Sequence, residues 1–437
     1  MMLKKMTVAG FFGILVLMTG ICAAAEAGAP VEVAPKAEGS RSQKWAAAAW
    51  CEGAKCWLVA WREGYLNEDA ADIWCARVSA DGKSLDPAGI RLTKGKGLKD
   101  RPRAASDGKG GFLVVWEDLS NGKDWDVRGA RVSAEGKALD PDAFVIAGGE
   151  HNQARPDATF AGGQYHVVWQ AFHSAGKGDP GIPATDTGYA VNGARVSVEG
   201  KVVETKPVDL VPGLSAREQL LEPSVAGRGD SALVTCRVGL CGGFGNTYQG
   251  WRVIDAKTGQ PQGPAVGKQG GRVQFPLPSC PLQADAVALG ADGGLIVLRN
   301  DKEIYRWRHA HSLYRLNAAG APQGEMIAIG NCGNGAFWSR SAVTFDGERY
   351  LVVMDWAGAG TGPNPATSPF QTEIHGWFVG ADGKVADDPV KGFTIAADAG
   401  KSEMLPTVAG GPKGVSLVVY TEFRGADDIK LLARIVK

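Results

Sequence analysis

Apolar and polar positions alternate along this chain in a pattern that repeats itself. A short apolar run recurs seven times: WLVAW at 57–61, FLVVW at 112–116, YHVVW at 165–169, ALVTC at 232–236, LIVLR at 295–299, YLVVM at 350–354 and SLVVY at 416–420. Successive runs end 53 to 67 residues apart. A second run follows each one: ARV at 76–78, 130–132 and 194–196, WRV at 251–253, YRL at 314–316, WFV at 377–379 and ARI at 433–435. A glycine turn such as ADGK at 80–83 or AEGK at 134–137 comes next in most units. The runs are β-branched and aromatic, and Gly, Asp and Pro interrupt them, so they read as strands. No helical period is sustained.

Each unit therefore predicts four strands. Strand A is a run such as PRAAS (102–106), and a glycine hairpin leads to strand B, such as GFLVVW. A variable loop leads to strand C, such as DVRGARV, and the acidic-Gly turn leads to strand D, such as DAFVIAG. Near-continuous apolarity in strand B predicts burial on both faces, as where sheets stack on sheets. Seven such units predict an all-β, seven-bladed β-propeller with four-stranded antiparallel blades. The seventh unit ends on strand C at Lys437. The segment PVEVAP at 30–35 matches PVDLVP at 207–212, strand D of unit three. The N-terminal segment is thus expected to complete the last blade, closing the ring and covering a sheet edge.

The stretch RPRAASDGKGGFLVVWEDLSNGKDWDVRGARVSAEGKALDP (101–141) carries the repeat most fully. It resembles secreted bacterial β-propeller repeats of the LVVW…ARV…DG type, mostly of unassigned activity. The resemblance covers nearly all of the chain beyond the first segment, and units four and five depart from it most. It implies export and a propeller, and little chemistry.

The first residues carry Lys4 and Lys5, an apolar run from Thr7 to Cys22 and small residues to Ala27. This is the layout of a secretory signal over 1–27, cleaved after about Ala25 or Ala27, with the propeller over 28–437. Ile21 stands where lipidation at Cys22 would want a small residue, so a lipoprotein is not expected. The protein is placed in the periplasm or outside the cell. Lys and Arg number 47 against 47 Asp and Glu, which leaves no basic footprint for nucleic acid. No membrane span is expected after cleavage, and a monomer is.

Seven cysteines follow Cys22, and export permits disulfides. The pairs expected from spacing along the repeat are Cys51–Cys56, Cys236–Cys241 and Cys280–Cys332, with Cys75 left as a buried thiol. None of the spacings is a zinc pattern, no calcium loop occurs, and neither a nucleophile elbow nor a phosphate loop is present, so no cofactor or metal is expected.

In such a blade the A–B and C–D turns share one face, and the B–C and D–A loops share the other. Here the first set is short and stereotyped, while the second set varies, and variable loops on a rigid scaffold are where binding sites sit. His151, His173, His309, His311 and His375 fall at that face. Each strand-B run is followed by a mostly polar residue, among them Arg62, Glu117, Arg237 and Asp355, expected to ring the mouth. The stretch YRWRHAHSLYR (305–315) rewrites the repeat in unit five. Its Tyr305, Trp307, His309 and His311 join the candidate ligand face, with His311 in a mostly apolar column held elsewhere by Ile73, Val127, Val191, Tyr248 and Ile374.

Two functions are compatible with these residues. The first is a non-catalytic binding or scaffold propeller that recognises a glycan or an extracellular protein through its loop face. The alternative is an extracellular carbohydrate-active enzyme. That enzyme is a polysaccharide lyase with a Tyr or His base and an Arg, or a glycoside hydrolase with paired acids such as Glu117 and Asp355. No catalytic residue is assigned.

Overall fold

The computed structural model describes residues 25–37, 42–64, 71–174, 187–211, 218–240, 248–263, 272–273, 282–290, 292–303, 308–332, 341–356, 372–398, 400–425 and 428–437. Among these there is no helix, and the strands form seven antiparallel blades. The innermost strands, A, are Gln43–Cys51, Lys99–Ser106, Gln153–Ala161, Glu218–Arg228, Leu282–Leu289, Ser341–Phe345 and Ser402–Gly410. Strands B are Cys56–Glu63, Gly111–Asp118, Gln164–Ser174, Ser231–Leu240, Gly294–Glu303, Tyr350–Trp356 and Ser416–Gly425. Strands C are Asp72–Ser79, Asp126–Ser133, Thr187–Val196, Tyr248–Asp255, Arg308–Leu316, Glu373–Val379 and Asp428–Val436. Outer strands D complete blades one to six, short ones such as Phe144–Ala147 and Val208–Val211 in most and the longer Pro322–Cys332 in blade five.

Blade seven takes its outer strand from the other end of the chain. Val31 pairs with Ala433 and Glu32 with Leu432, antiparallel, and Ala27 bridges Val436. The N-terminal segment thus closes the ring as the repeat predicts.

Strand B is the buried middle of each blade. Trp57, Leu58, Val59, Ala60 and Trp61 are all fully buried, as are Phe112 to Trp116 in blade two. Alternate residues pack against the blade before and the blade after. Val59 and Trp61 join a cluster with Leu417 and Val419 of blade seven, while Leu58 and Ala60 join Phe112, Val114 and Trp116 of blade two. The core is therefore a ring of inter-blade layers rather than one centre.

The ARV run and the acidic residue nine positions later form a latch. Arg77 donates its Nε to Asp86 at 2.8 Å and its NH2 to the other oxygen at 2.9 Å. Its NH1 reaches the Ala134 carbonyl of the next blade at 2.6 Å. Arg131 repeats this with Asp140 and the Val198 carbonyl, and Arg195 with Glu204 and the Lys257 carbonyl. The planar guanidinium fork suits this double task. Gly136 of the receiving turn has φ 82°, and a Cβ there would lie 2.7 Å from the Arg77 Nε. The repeated glycine thus serves both the turn and the close approach of the latch.

The thiols differ from the spacing-based expectation. Cys51 and Cys56 lie opposite one another across the A–B hairpin, yet both are free and buried. They pack as small hydrophobes with Cys75, also a free buried thiol as expected, in the layer between blades one and two. Burial pushes the Cys56 thiol up to about 11, which removes its thiolate at neutral pH. Cys236 is likewise free and buried, so it makes no bond with Cys241, which lies outside the described residues together with Cys280.

Candidate functional site

Every innermost strand edges a central channel of about 1190 Å³. Small residues line its middle, among them Ala49, Ala105, Ala226, Ala288 and Ala409, and Ala105, Ala288 and Ala409 pack into the inter-blade layers. The exposed backbone edge is met by side chains from the preceding blade. Asp157 accepts from the Val225 N–H at 2.8 Å, Thr159 from the Gly227 N–H at 2.9 Å and Thr344 from the Gly410 N–H at 2.8 Å. These bonds satisfy groups that a bare strand edge would leave open.

At the loop-face end, the start of strand A carries a bulge in blade after blade. The register shifts at Lys44/Ala47, Asp100/Arg103, Ala154/Asp157, Leu221/Ser224 and Met404/Thr407. The bulged residue is left-handed without being glycine: Trp45 at φ 57°, Arg101 at 51°, Arg155 at 50°, Glu222 at 54° and Leu405 at 55°. A proline follows in four of the five. Such a backbone costs about 1–2 kcal/mol per residue, so something must hold it there. The strand-B end of the preceding blade does. Glu117 accepts the Arg155 N–H at 2.7 Å, Gln170 the Glu222 N–H at 3.2 Å and Asp355 the Leu405 N–H at 3.2 Å. Arg62 instead donates to Asp100 at 3.2 Å.

Those strand-B residues were expected on an open rim. Arg62, Glu117 and Asp355 stand at the expected end of the blades, but they are buried at 2%, 6% and 5% exposure and act between blades. Arg237 alone of that set remains partly exposed and turns to Glu222. What the bulges present to the mouth is the residue they force out of the strand.

The result is a row across blades one to four. The Arg101 guanidinium lies over the Trp45 ring, 4.9 Å from its centroid. Arg101 Nε stands 3.4 Å from Glu117, Arg155 NH1 donates to Glu222 Oε1 at 2.5 Å, and Arg237 Nε lies 3.5 Å from the other Glu222 oxygen. Just below, Arg103 Nε stands 3.4 Å from Asp157. Burial, and then the charge of Arg155, hold Arg101 below the usual guanidinium value. Burial pushes Glu117 and Asp157 above the usual carboxylate range despite their donors. Around the whole channel Arg101, Arg103, Arg155, Arg228 and Lys413 face Asp157, Glu222 and Asp346. The described lining thus has an excess of positive charge in a nearly neutral protein.

The histidines are dispersed rather than gathered. His311 is fully buried in strand C of blade five, opposite Arg299, as Ile73 lies opposite Arg62 and Val127 opposite Glu117. The column read from the sequence is therefore real, and its blade-five anchor is Leu298. His375 is buried, with Nδ1 2.8 Å from the Lys391 carbonyl and Nε2 2.9 Å from Glu373. His151 is exposed on the loop before blade three, edge-on to Phe172 at 5.3 Å. The backbones of His173 and His309 lie in strands, their side chains outside the described residues, while Tyr305 and Trp307 lie outside them entirely, as do most of the long B–C loops of blades three and six. Of the expected residues, the structure brings only Glu117 and Arg237 to the Trp45–Glu222 row. Trp45, Arg101, Arg155 and Glu222 were missed. The signal for Arg101, Arg155 and Glu222 was the repeated X-Pro at the head of strand A, as in RPRA, RPDA and EPSV, and Trp45 lacks it.

No family model matches the chain, and no curated protein matches it. Among solved structures, a protein of unknown function from Dyadobacter fermentans aligns over 94% of this chain and 99% of its own, at 10% identity and a TM-score of 0.48. An α-L-arabinofuranosidase from Fusarium graminearum aligns over 94% and 97%, at 10% identity and a TM-score of 0.44. An arabinanase from Bacillus subtilis aligns over 66% and 96%, at 12% identity and a TM-score of 0.34. At such identities and scores these likenesses carry no reading of activity.

Proposed function

We propose that the protein is an exported, monomeric glycan-binding propeller that takes a carboxylate-bearing saccharide at the loop-face mouth of its channel. The observation that carries this reading is the Trp45–Arg101–Arg155 row, an aromatic face and two guanidinium groups on one rim. A guanidinium fork binds a planar carboxylate through two parallel bonds, and an indole offers a flat apolar face to a sugar ring. Arg101 and Arg155 are already positioned at the mouth by their ion pairs with Glu117 and Glu222, so less freedom is lost when a ligand binds. Export follows from the signal-like first segment and from the secreted repeat type that the sequence resembles.

A second reading places glycoside hydrolysis at the same mouth. Asp157 and Glu222 both line the channel, and burial raises the proton affinity of Asp157. A carboxyl of raised proton affinity with a second carboxylate in the same lining is what hydrolysis asks for. A lyase would need a His or Tyr base beside the arginines, and the described lining of the channel has neither.

The test is a panel of neutral and uronate- or sialate-bearing oligosaccharides, followed by calorimetry and by release of new reducing ends. Acidic members should bind, binding should fail in Arg155→Ala, and no product should form. Neutral sugars binding equally well in Arg155→Ala would overturn the reading. Product formation that stops in Asp157→Asn and Glu222→Gln would establish the hydrolase instead.

A further inference from the structure

Blade seven holds a feature that the mouth does not use. Glu403 lies near the start of strand A and Glu422 near the end of strand B, and the two are directly opposite in register. They are 1% and 0% exposed. Like charges facing each other across a strand pair repel, and buried charges need partners. Asp398, in the loop entering the blade, completes a trio whose ligand oxygens lie within 4.8 Å of one another.

The cations nearby do not balance this trio. Lys401, 39% exposed, reaches Glu422 at 3.1 Å and Asp398 at 3.6 Å. Arg424 pairs with Glu422, but it also serves Glu32 of the closing strand at 2.9 Å. Asp398, Glu422 and Glu32 thus share Lys401 and Arg424, and Glu403 pairs with neither. One oxygen of Glu403 accepts the Asp398 N–H at 3.0 Å, while the other, Oε2, is buried without a hydrogen-bond partner. A buried acceptor left open is the exception in folded proteins and asks for an ion or a donor.

This column holds Gln43 in blade one and Gln153 in blade three, and blade two fills it with a cation. Blade two places Lys99 where blade seven has Glu403, opposite Asp118. The Lys99 ammonium is buried and donates to the carbonyls of Gly95, Lys96 and Gly97 at 3.1, 3.0 and 3.1 Å. A cation thus stands at this point of blade two as part of the chain.

We propose that Asp398, Glu403 and Glu422 bind a divalent cation of the calcium type, taking the role that the Lys99 ammonium plays in blade two. An all-oxygen, carboxylate-rich set suits Ca²⁺. Lys401 is long and half-exposed, and it swings to solvent when the ion enters. Because Arg424 ties Glu422 to Glu32, the ion also braces the contact that closes the ring.

The experiment uses the whole protein stripped with a chelator and dialysed, with Ca²⁺ alone as the probe. Calorimetry should show one equivalent bound, and thermal unfolding should rise by several degrees on loading. Glu403→Gln and Asp398→Asn should lose binding by at least tenfold while keeping the unloaded protein folded by circular dichroism. Lys401→Ala, on the surface, should bind Ca²⁺ several-fold more tightly, because it removes a competitor. No binding by the stripped wild type at millimolar Ca²⁺ would overturn the proposal. So would unchanged affinity in Asp398→Asn, or an affinity in Lys401→Ala no higher than wild type.

Discussion

Blades two and seven share an architecture and differ in the charge at the ends of their inner strands. Each has a buried aromatic at the end of its apolar strand-B run, Trp116 in one and Tyr420 in the other. Each has a bulge with a left-handed residue, Arg101 in one and Leu405 in the other, and a polar strand-B residue behind it, Glu117 and Thr421. Yet two residues before the bulged residue blade two carries Lys99, whereas blade seven carries Glu403. Blade two sends an arginine into the mouth, and blade seven sends a leucine. The scaffold fixes where side chains point, and the charge placed at those points is free to vary. Chemistry in this fold is thus written at the strand ends, over a layer that stays the same.

The largest expected effect would break what the two blades share. Trp116→Ala and Tyr420→Ala each empty a fully buried ring site between blades. Each should cost about 3–5 kcal/mol in chemical denaturation. A loss under about 1 kcal/mol in one blade alone would show that the layers are not equivalent. The next effect separates the blades. Lys99→Ala strips a buried ammonium from three carbonyls and should cost about 3 kcal/mol. Lys401→Ala removes a half-exposed lysine beside the Glu403–Glu422 pair of blade seven, and by the same measurement should cost under about 1 kcal/mol. Equal costs would erase the contrast between a built-in cation and a displaceable one.

Arg155→Ala sharpens the difference at the mouth. Its ion pair with Glu222 is only partly buried, so stability should move by under about 1 kcal/mol. Binding of an acidic oligosaccharide by calorimetry should fall tenfold or more, about 1.4 kcal/mol, through loss of a charge-assisted contact. Leu405→Ala, the equivalent bulge in blade seven, should leave binding within about twofold, or under 0.5 kcal/mol. Comparable losses at both bulges would place the ligand over the whole mouth rather than over blades one to four.

Blade count, strand order and ring closure were legible in the sequence because inter-blade burial repeats with the chain. Every unit must present the same two-faced apolar strand, and PVEVAP matches PVDLVP because both edge the same kind of sheet. The mouth was legible only in part. The partners that set it are far apart in the chain: Glu117 and Arg155 by 38 residues, Asp157 and Ser224 by 67. A residue before proline reads as extended, so the left-handed turn at Arg101 and Arg155 ran against the local signal. Burial of Arg62 and Asp355 was hidden for a related reason. A polar residue after an apolar run reads as rim, and only the neighbouring blade shows that it is covered. The thiols failed differently, since facing positions across a hairpin allow a bond without requiring one.

The smallest effect is a slope rather than a step, and it tests whether the mouth is a strained environment for acids. Asp157 lies in blade three beside Arg103 and accepts from Ser224 and Val225 of blade four. Burial outweighs those partners and raises its pKa above the ordinary aspartate value of 3.8. The folded protein then keeps a proton that the unfolded chain has already released. That contribution to stability is fully present below pH 3.8 and is lost as pH rises through the folded value. Asparagine keeps the acceptor for Ser224 and Val225 and cannot titrate. The stability of wild type minus that of Asp157→Asn, followed by urea denaturation, should therefore fall with rising pH, at up to about 1.4 kcal/mol per pH unit. The same subtraction removes the slopes of Glu117 and Glu403, which burial raises in both proteins. A difference that stays flat, or that grows with pH, would mean that Arg103 wins over burial at Asp157 and that the carboxylates of the mouth are ordinary ion-pair partners.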